Sequence, residues 1–512
     1  MESTAAQVKV NFTTTHEDLQ LPENKRQLLV PSDIKRYGLS RIVNSESMLN
    51  TSAPVPLDFL VNGTFLRTTL EEYLQTEGLS SETTITLQYV RSLLPPTYEA
   101  SFQHDDWVAS VDVLSATSAA GRWSGDDLIQ GQDRILSASY DGLVRIWDGS
   151  GSALATSAAA RGGGHAKMLT SAKFLSSTQI ASAGLDQKIV VWKYTEAADR
   201  LSGELKPTLE LHGHKQKINS LAAHGPSKRL LTASNDGTVG LWLASKKAAD
   251  ADAEDIPATH TAKRARVASS VTVPQKAPLA LIAAHGDAAA TAAAFHPTDA
   301  TVAYSASTDH TLRTLDLTTA RVVSTLTTLH PLLALAPLPR SAHALVAAAS
   351  AARHVTLLDP RAAAAQTSVL TLRGHANMVS ALAPAPDNDY SLVSASHDGT
   401  CKVWDLRSVR PATAPDNDYS LVSASHDGTC KVWDLRSVRP ATRDEGGAAA
   451  GGGSVCEPVY TVARESLGGR RAPLGGEGVK VFDVAWDATW GIVSGGEDKK
   501  VQINRGRDLL SQ

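Results

Sequence analysis

Residues Arg134–Asp148 read RILSASYDGLVRIWD. Apolar and polar residues alternate on either side of an Asp-Gly pair and the second arm ends on Trp, the signature of a β-hairpin with one buried face. The pattern returns as LLTASNDGTVGLW at Leu230–Trp242 and SLVSASHDGTCKVWD at Ser391–Asp405. A histidine lies upstream of each hairpin: His104 in HDDWVASVDV, His165 in GGGHAKMLTSAKF, His214 in HGHKQKINSLAA and His375 in RGHANMVSALAP. The step from His to Trp is 27 residues in the second unit, 28 in the third and 29 in the sixth. A period this regular sets the architecture before any single motif does.

These units resemble the WD-repeat family, with GH-like and WD-like ends around a core of nearly constant length. The resemblance implies a buried polar network in each unit, formed by the His, a strand Ser, the turn Asp and the Trp ring nitrogen. The matching sets are His104, Ser139, Asp141, Trp147; His214, Ser234, Asp236, Trp242; and His375, Ser396, Asp398, Trp404. Weaker units fill the gaps. The second has Asp186 and Trp192 with Gly184 in place of the Ser, the fourth has Asp309 with Leu315 in place of Trp, the fifth has Ala352 in place of Asp, and the seventh keeps Asp498 with Asn504 at the Trp position. The expected fold is therefore mainly β, a seven-bladed propeller over residues 104–512. Eight residues follow Asn504, so the outer strand of the last blade is expected from Thr97–Gln103, within a linker at 93–103.

One stretch is copied. Ala385–Thr413 and Ala414–Thr442 are identical, and only the first copy has a His, His375, at the repeat distance. The second copy, with Ser425, Asp427 and Trp433, is expected to be extruded within an insertion at 414–457 and not to make an eighth blade. Identity also means that either hairpin could fill blade six. A second insertion is expected at 243–280.

Residues 1–92 lack the repeat. Their order is strand Gln7–Thr14, strand Gln27–Pro31, a helix capped at Ser32 or Asp33 and running to Asn44, strand Leu57–Val61, the turn Asn62-Gly63, strand Phe65–Thr68, helix Leu70–Gln75 and strand Thr84–Val90. This is a ubiquitin-like β-grasp order. Followed by LLPP at Leu93–Pro96 and FQHDDW, the segments RYGLSRIVN, PLDFLVNG, LRTTLEEYL and GLSSETTITLQYV resemble the Notchless-like N-terminal domain of WD-repeat ribosome-biogenesis factors. That resemblance implies a non-enzymatic assembly factor of the large (60S) ribosomal subunit, needed for maturation of 25S/28S and 5.8S rRNA. It implies a trimeric complex with block-of-proliferation and pescadillo-type proteins on the pre-60S particle, in the nucleus, nucleolus and nucleoplasm. It further implies that the AAA ATPase midasin binds the N-terminal domain for release, through a carboxylate that completes the coordination of midasin's own Mg²⁺. By motif position that carboxylate is Glu82, between Ser81 and Thr83, and an anionic oxygen suits a hard divalent cation. Glu71, Glu72 and Glu77 on the preceding helix read as a solvated face.

Composition narrows the remaining classes. A net charge of −4 and a pI near 6.5 oppose nucleic-acid binding over the whole surface. The three cysteines, Cys401, Cys430 and Cys456, make no disulfide framework. Neither a secretory leader nor an apolar run long enough to span a bilayer is expected. No Walker loop, GxSxG elbow, paired-Cys zinc spacing or HExxH occurs, so no catalytic residue, cofactor, metal of its own or small-molecule substrate is expected. Lys263, Arg264 and Arg266 read as a nuclear-localisation patch. An alternative function rests on VWDLR at Val403–Arg407 and DPR at Asp359–Arg361, which resemble the box by which some propellers dock as substrate receptors on a cullin ubiquitin ligase. A general WD-repeat scaffold is the blandest reading.

Overall fold

The computed structural model describes residues 7–14, 17–49, 55–61, 64–66, 68–78, 80, 84–91, 97–129, 131–251, 273–338, 345–361, 368–373, 375, 377–385, 391–396, 402–405, 422–424, 429–432, 438–440, 454–456, 462–468 and 478–505. The chain forms two compact units, the smaller built on the first 94 residues.

The smaller unit is a five-stranded sheet ordered Gln27–Pro31, Gln7–Thr13, Ile85–Arg91, Leu57–Val61, Thr64–Phe65. The first strand runs antiparallel to the second and parallel to the last, with Val10 opposite Ile85. Order and direction are those of a β-grasp sheet. Alternation puts Val8, Val10 and Phe12 on one face, where they bury with Phe59, Leu87 and Tyr89 against Leu39, Val43 and Leu70 of the helices. The first helix opens at Arg36 after Lys35, which makes no side-chain cap, and not at Ser32 or Asp33 as expected. Ser32 is held instead by the second helix, its carbonyl accepting from the Glu71 amide and its hydroxyl lying 3.4 Å from Glu71 Oε2. The second helix, Leu70–Glu77, carries a capping box: Thr69 and Glu72 each satisfy the other's backbone N–H. Glu72 is thus a cap and not only a solvated residue.

The larger unit contains seven sheets among the described residues. Their first strands are Val108–Leu114, Leu169–Ser176, Ile218–His224, Ala290–Phe295, Leu332–Pro337, Val379–Pro384 and Val481–Asp487. Each touches the next, and the seventh touches the first, so the sheets close into a ring of blades. Successive blades bury apolar faces against one another, for example Leu136, Ile146 and Leu169 with Phe174 and Trp192 between blades one and two. Blade seven, Val481–Asp487, Gly491–Gly496 and Lys500–Arg505, takes Thr97–Gln103 as its outer strand, antiparallel to Lys500–Arg505. The chain's first propeller strand and its last thus share one sheet. Across the same seam Asp487 accepts from the Ser115 and Thr117 hydroxyls at 2.8 Å, and the rings of Trp107, Tyr140 and Phe482 cluster.

The connection after blade three's third strand returns to the ring. Gln275–Lys276 adds a parallel strand to blade two and Ala280–Ile282 closes blade three. The second copy of the duplicated stretch also contributes strands. Val422–Ala424 and Thr429–Val432 belong to the sixth sheet, ordered Lys402–Asp405, Ser391–Ser396, Val379–Pro384, Val422–Ala424, Thr429–Val432, Val462–Ala463. These strands are not extruded from the ring, because the second copy presents the same edge groups as the first.

Candidate functional site

The repeat-locked side chains are polar groups placed inside apolar sheets, where an unpaired donor or acceptor costs about 1–3 kcal/mol. In blade three His214 Nε2 lies 2.7 Å from Thr232 Oγ1, which also accepts from Trp242 Nε1 at 2.8 Å. On its other side His214 Nδ1 meets Asp236 at 3.2 Å. Blade two repeats this with His165, Ser182, Trp192 and Asp186, and blade four with His285, Ser305 and Asp309, Leu315 taking the Trp position. Burial alone would raise Asp186 and Asp309, but His165 outweighs it at Asp186, and Thr311 followed by His285 outweighs it at Asp309, so both carboxyls are held below their usual range. Asp236 is lowered likewise, by His214 and Thr238 against the opposing effect of burial.

Three residues of the expected sets are displaced. The hydroxyl joining His104 to Trp147 belongs to Ser137, at 2.8 Å from each, and not to Ser139. Thr232 holds that place and not Ser234, and Ser394, 2.8 Å from His375 Nε2, holds it and not Ser396. The two positions lie on one face of the strand, so alternation cannot separate them; depth does. Trp147 pairs across the ladder with Ile135, and its ring nitrogen reaches one step towards the turn, to Ser137. Ser139 and Ser234 sit at the turn itself, donating to the Asp106 and Lys217 carbonyls. The same shift completes blade two: Ser182 is its hydroxyl, while Gly184 is required because a Cβ there would lie 2.4 Å from the Met168 carbonyl oxygen.

Blade one differs again. Asp141 pairs with Arg145 at 2.6 Å, and His104 Nδ1 faces the Phe102 carbonyl at 3.3 Å. Desolvation first, and then Arg145, push the His104 imidazole down to about 4. Blade seven has no histidine in this role. Arg464, 1% exposed, grips Asp498 through Nε and Nη2 at 3.0 and 2.5 Å and donates from Nη1 to Ser494 Oγ at 2.8 Å. Gln502 donates to Asn504, which stands at the Trp position. His285 and Arg464 were missed from sequence. His285 follows Ala and not Gly, and Arg464 is a different residue type 34 positions before its Asp, against 21 for His165 and 22 for His214.

Glu82 with Ser81 and Thr83, the Lys263, Arg264 and Arg266 patch, Asp398 and Arg407 all lie outside the described residues. Ser396 and Trp404 fall on described strands. Arg361 of the DPR turn is 3.5 Å from Asp359 of its own motif. Along the axis the first strands surround a cavity of about 640 Å³. Three of its charged groups are engaged: Lys173 donates to the Val111 carbonyl at 3.1 Å, Asp112 accepts from the Phe174 amide at 2.8 Å, and Asp483 accepts from Ser110 at 2.8 Å. Each bond crosses from one blade to its neighbour. Among the described residues no cluster of three or more His, Cys, Asp or Glu could hold a metal ion, and no helix is long and apolar enough to cross a membrane.

Fold and buried networks together define a WD-repeat scaffold preceded by a small α+β domain. The NLE (NUC135) domain profile matches residues 8–74, and the WD domain, G-beta repeat profile matches 97–148, 205–242, 366–405 and 407–434. The last two matches take the copies of the duplicated stretch separately. A Podospora anserina protein named "Ribosome biogenesis protein YTM1" is 58% identical over 100% of this chain and 99% of its own length. The Neurospora crassa protein of that name is 59% identical over 99% and 98%, and one from Chaetomium globosum is 58% identical over 100% and 99%. The chain belongs to this family of YTM1 ribosome biogenesis proteins.

Proposed function

We propose that this protein is a non-enzymatic assembly factor for the large (60S) ribosomal subunit, needed for maturation of its 25S/28S and 5.8S rRNA in the nucleolus and nucleoplasm. The observation that carries this is the likeness, at 58% identity, to relatives named for ribosome biogenesis along their whole length, so that both units are shared. The propeller is the binding body: it joins block-of-proliferation and pescadillo-type proteins in a trimeric complex and docks on the pre-60S particle. The networks favour this use, because their polar groups spend themselves holding blades rigid and leave the loops to contact partners.

The N-terminal domain presents Glu82 to midasin. Supporting this, Glu82 falls in the chain between a helix stopped by Gly78 at φ 65° and a strand that begins at Ile85, so two ordered elements flank it. A carboxylate from this chain completes the shell of the Mg²⁺ that midasin holds, and ATP-driven pulling then frees the factor. Glu82→Ala and Glu82→Asp are expected to leave binding to pre-60S particles intact and to block release, read as accumulation of the tagged protein on purified particles. Release at the normal rate removes the role assigned to Glu82. Recovery of a cullin and its adaptor in place of pre-60S proteins overturns the ribosomal reading as a whole.

A further inference from the structure

The two edges of the N-terminal sheet are finished differently. At one edge stands Thr64–Phe65, two residues long, and so short an edge offers a second chain little to pair with. At the other stands Gln27–Pro31, of five residues. In the propeller the outer strand of blade two, Gly203–Leu211, is covered by the parallel strand Gln275–Lys276, and that of blade five, Ser368–Arg373, by Ser454–Cys456. Among the described residues Gln27–Pro31 pairs on one side alone, with Gln7–Thr13.

The register shows which backbone groups it leaves open. The Phe12 amide donates to the Arg26 carbonyl, so the ladder bonds to the first strand fall on Arg26, Leu28 and Val30, opposite Phe12, Val10 and Val8. Gln27, Leu29 and Pro31 therefore turn their backbone groups away from the sheet. Pro31 has no N–H, and its carbonyl accepts from the Ile34 amide. The N–H and C=O of Gln27 and of Leu29 remain, aligned for an added strand. Leu29 is 59% exposed and Leu28 37%, and as consecutive strand residues they project to opposite faces. No charged residue lies within the strand to discourage pairing, and its one proline stands at the last position, beyond Leu29.

Charge selects the occupant. Residues 7–44, which supply this edge, the strand beside it and the first helix, hold six cations, Lys9, Lys25, Arg26, Lys35, Arg36 and Arg41, against four anions, whereas residues 45–91 hold two against six. Lys9 lies directly across from Leu29 on the neighbouring strand, and Lys9, Lys35 and Arg41 are exposed. A second copy meeting edge to edge would bring these cations together, which opposes self-pairing. An extended segment with acidic flanks meets no such repulsion.

We propose that Gln27–Pro31 is a docking edge at which an extended, apolar segment of a partner protein, flanked by acidic residues, adds as a sixth strand. It is hydrogen-bonded through Gln27 and Leu29 and packed on Leu28 and Leu29. This surface is separate from the role assigned to Glu82 and stands whether or not that role holds.

A fluorescent synthetic peptide of valines alternating with serines between glutamate pairs tests this on the intact chain by polarisation. Saturable binding is expected, weakened by added salt. Leu29→Pro removes only an outward N–H, so it should melt close to the parent and bind about ten-fold more weakly or worse. Leu29→Asp keeps the backbone and sets a like charge against the peptide. It should weaken binding to a similar degree, and it carries the test should the proline variant fail to fold. The same peptide N-methylated throughout should not bind. Lys9→Glu combined with Lys35→Glu should lower affinity for the glutamate peptide several-fold and raise it for a peptide with lysine flanks. The proposal is overturned if the parent shows no saturable binding, if both Leu29 variants bind like the parent, if the N-methylated peptide binds as well as the unmodified one, or if the parent binds lysine and glutamate flanks equally. Self-association in sedimentation that Leu29→Pro abolishes would overturn it too, by making a second copy the occupant.

Discussion

In blade three one hydroxyl, Thr232 Oγ1, lies between the His214 imidazole and the Trp242 indole, and the turn Asp236 stands behind the His. In blade seven neither His nor Trp takes part in the network: a guanidinium from Arg464 spans Asp498, Ser494 and the Lys500 carbonyl. Both arrangements satisfy the same buried Asp and the same second-strand hydroxyl. The difference lies in how charge is handled. Blade three shares its bonds among an imidazole, a hydroxyl, an indole and a carboxylate, whereas blade seven places a guanidinium in the interior. A buried cation is tolerable only with its carboxylate in place, so blade seven depends on one pair where blade three distributes its bonds over four side chains.

Removing that pair is the strongest way to break the comparison. Arg464→Ala leaves Asp498 buried without its counter-charge, and a loss of about 3–5 kcal/mol in unfolding free energy is expected from urea melts. A loss under about 1 kcal/mol would show that the guanidinium is dispensable and that blades three and seven are not held by comparable networks.

Acid separates the blades next. The folded pKa of His104 lies at about 4, below the ordinary 6.5, so its neutral form is the one that folds. Its contribution is complete above about pH 6.5 and is lost as the pH falls towards 4, a span worth on the order of 3 kcal/mol. Asp498 is pushed up by burial but pulled down further by Arg464, so its contribution is lost only as the pH falls through its depressed folded value. His104→Gln should therefore flatten the melting temperature between pH 6.5 and 4. An unchanged slope assigns the acid sensitivity to other groups.

The smallest effect concerns the turn between second and third strands. Blades one and three place Gly142 and Gly237 at φ 82° and 76°, while Gln187, His310, Arg353 and Lys499 adopt φ 68°, 66°, 71° and 62° at the same position. A side chain there costs about 1 kcal/mol relative to glycine. Gln187→Gly should raise stability by up to about that amount; a decrease would mean that the glutamine side chain makes a compensating contact.

How much of this was legible follows the same division. The period of the hairpins and the His-to-Trp spacing led to blades because alternation and turn chemistry are local. The choice of Ser137 over Ser139, and of Thr232 over Ser234, was not legible, since both residues of each pair face the same side and only the reach of an indole across the ladder separates them. Arg464 was hidden for a different reason: no spacing rule survives when another residue type enters from a connection 34 residues away.

By itself the sequence determined that the chain has a small α+β domain and a repeated β unit, because hydrophobic period, Asp-Gly turns and capping residues act within a few positions. It also determined that blade six has two equal candidates. Tertiary structure alone decided which hydroxyl each His and Trp share and which charge replaces the missing histidine. It alone divides blade six between the copies, for two identical segments have identical local preferences and differ only in the neighbours and connections that the fold supplies.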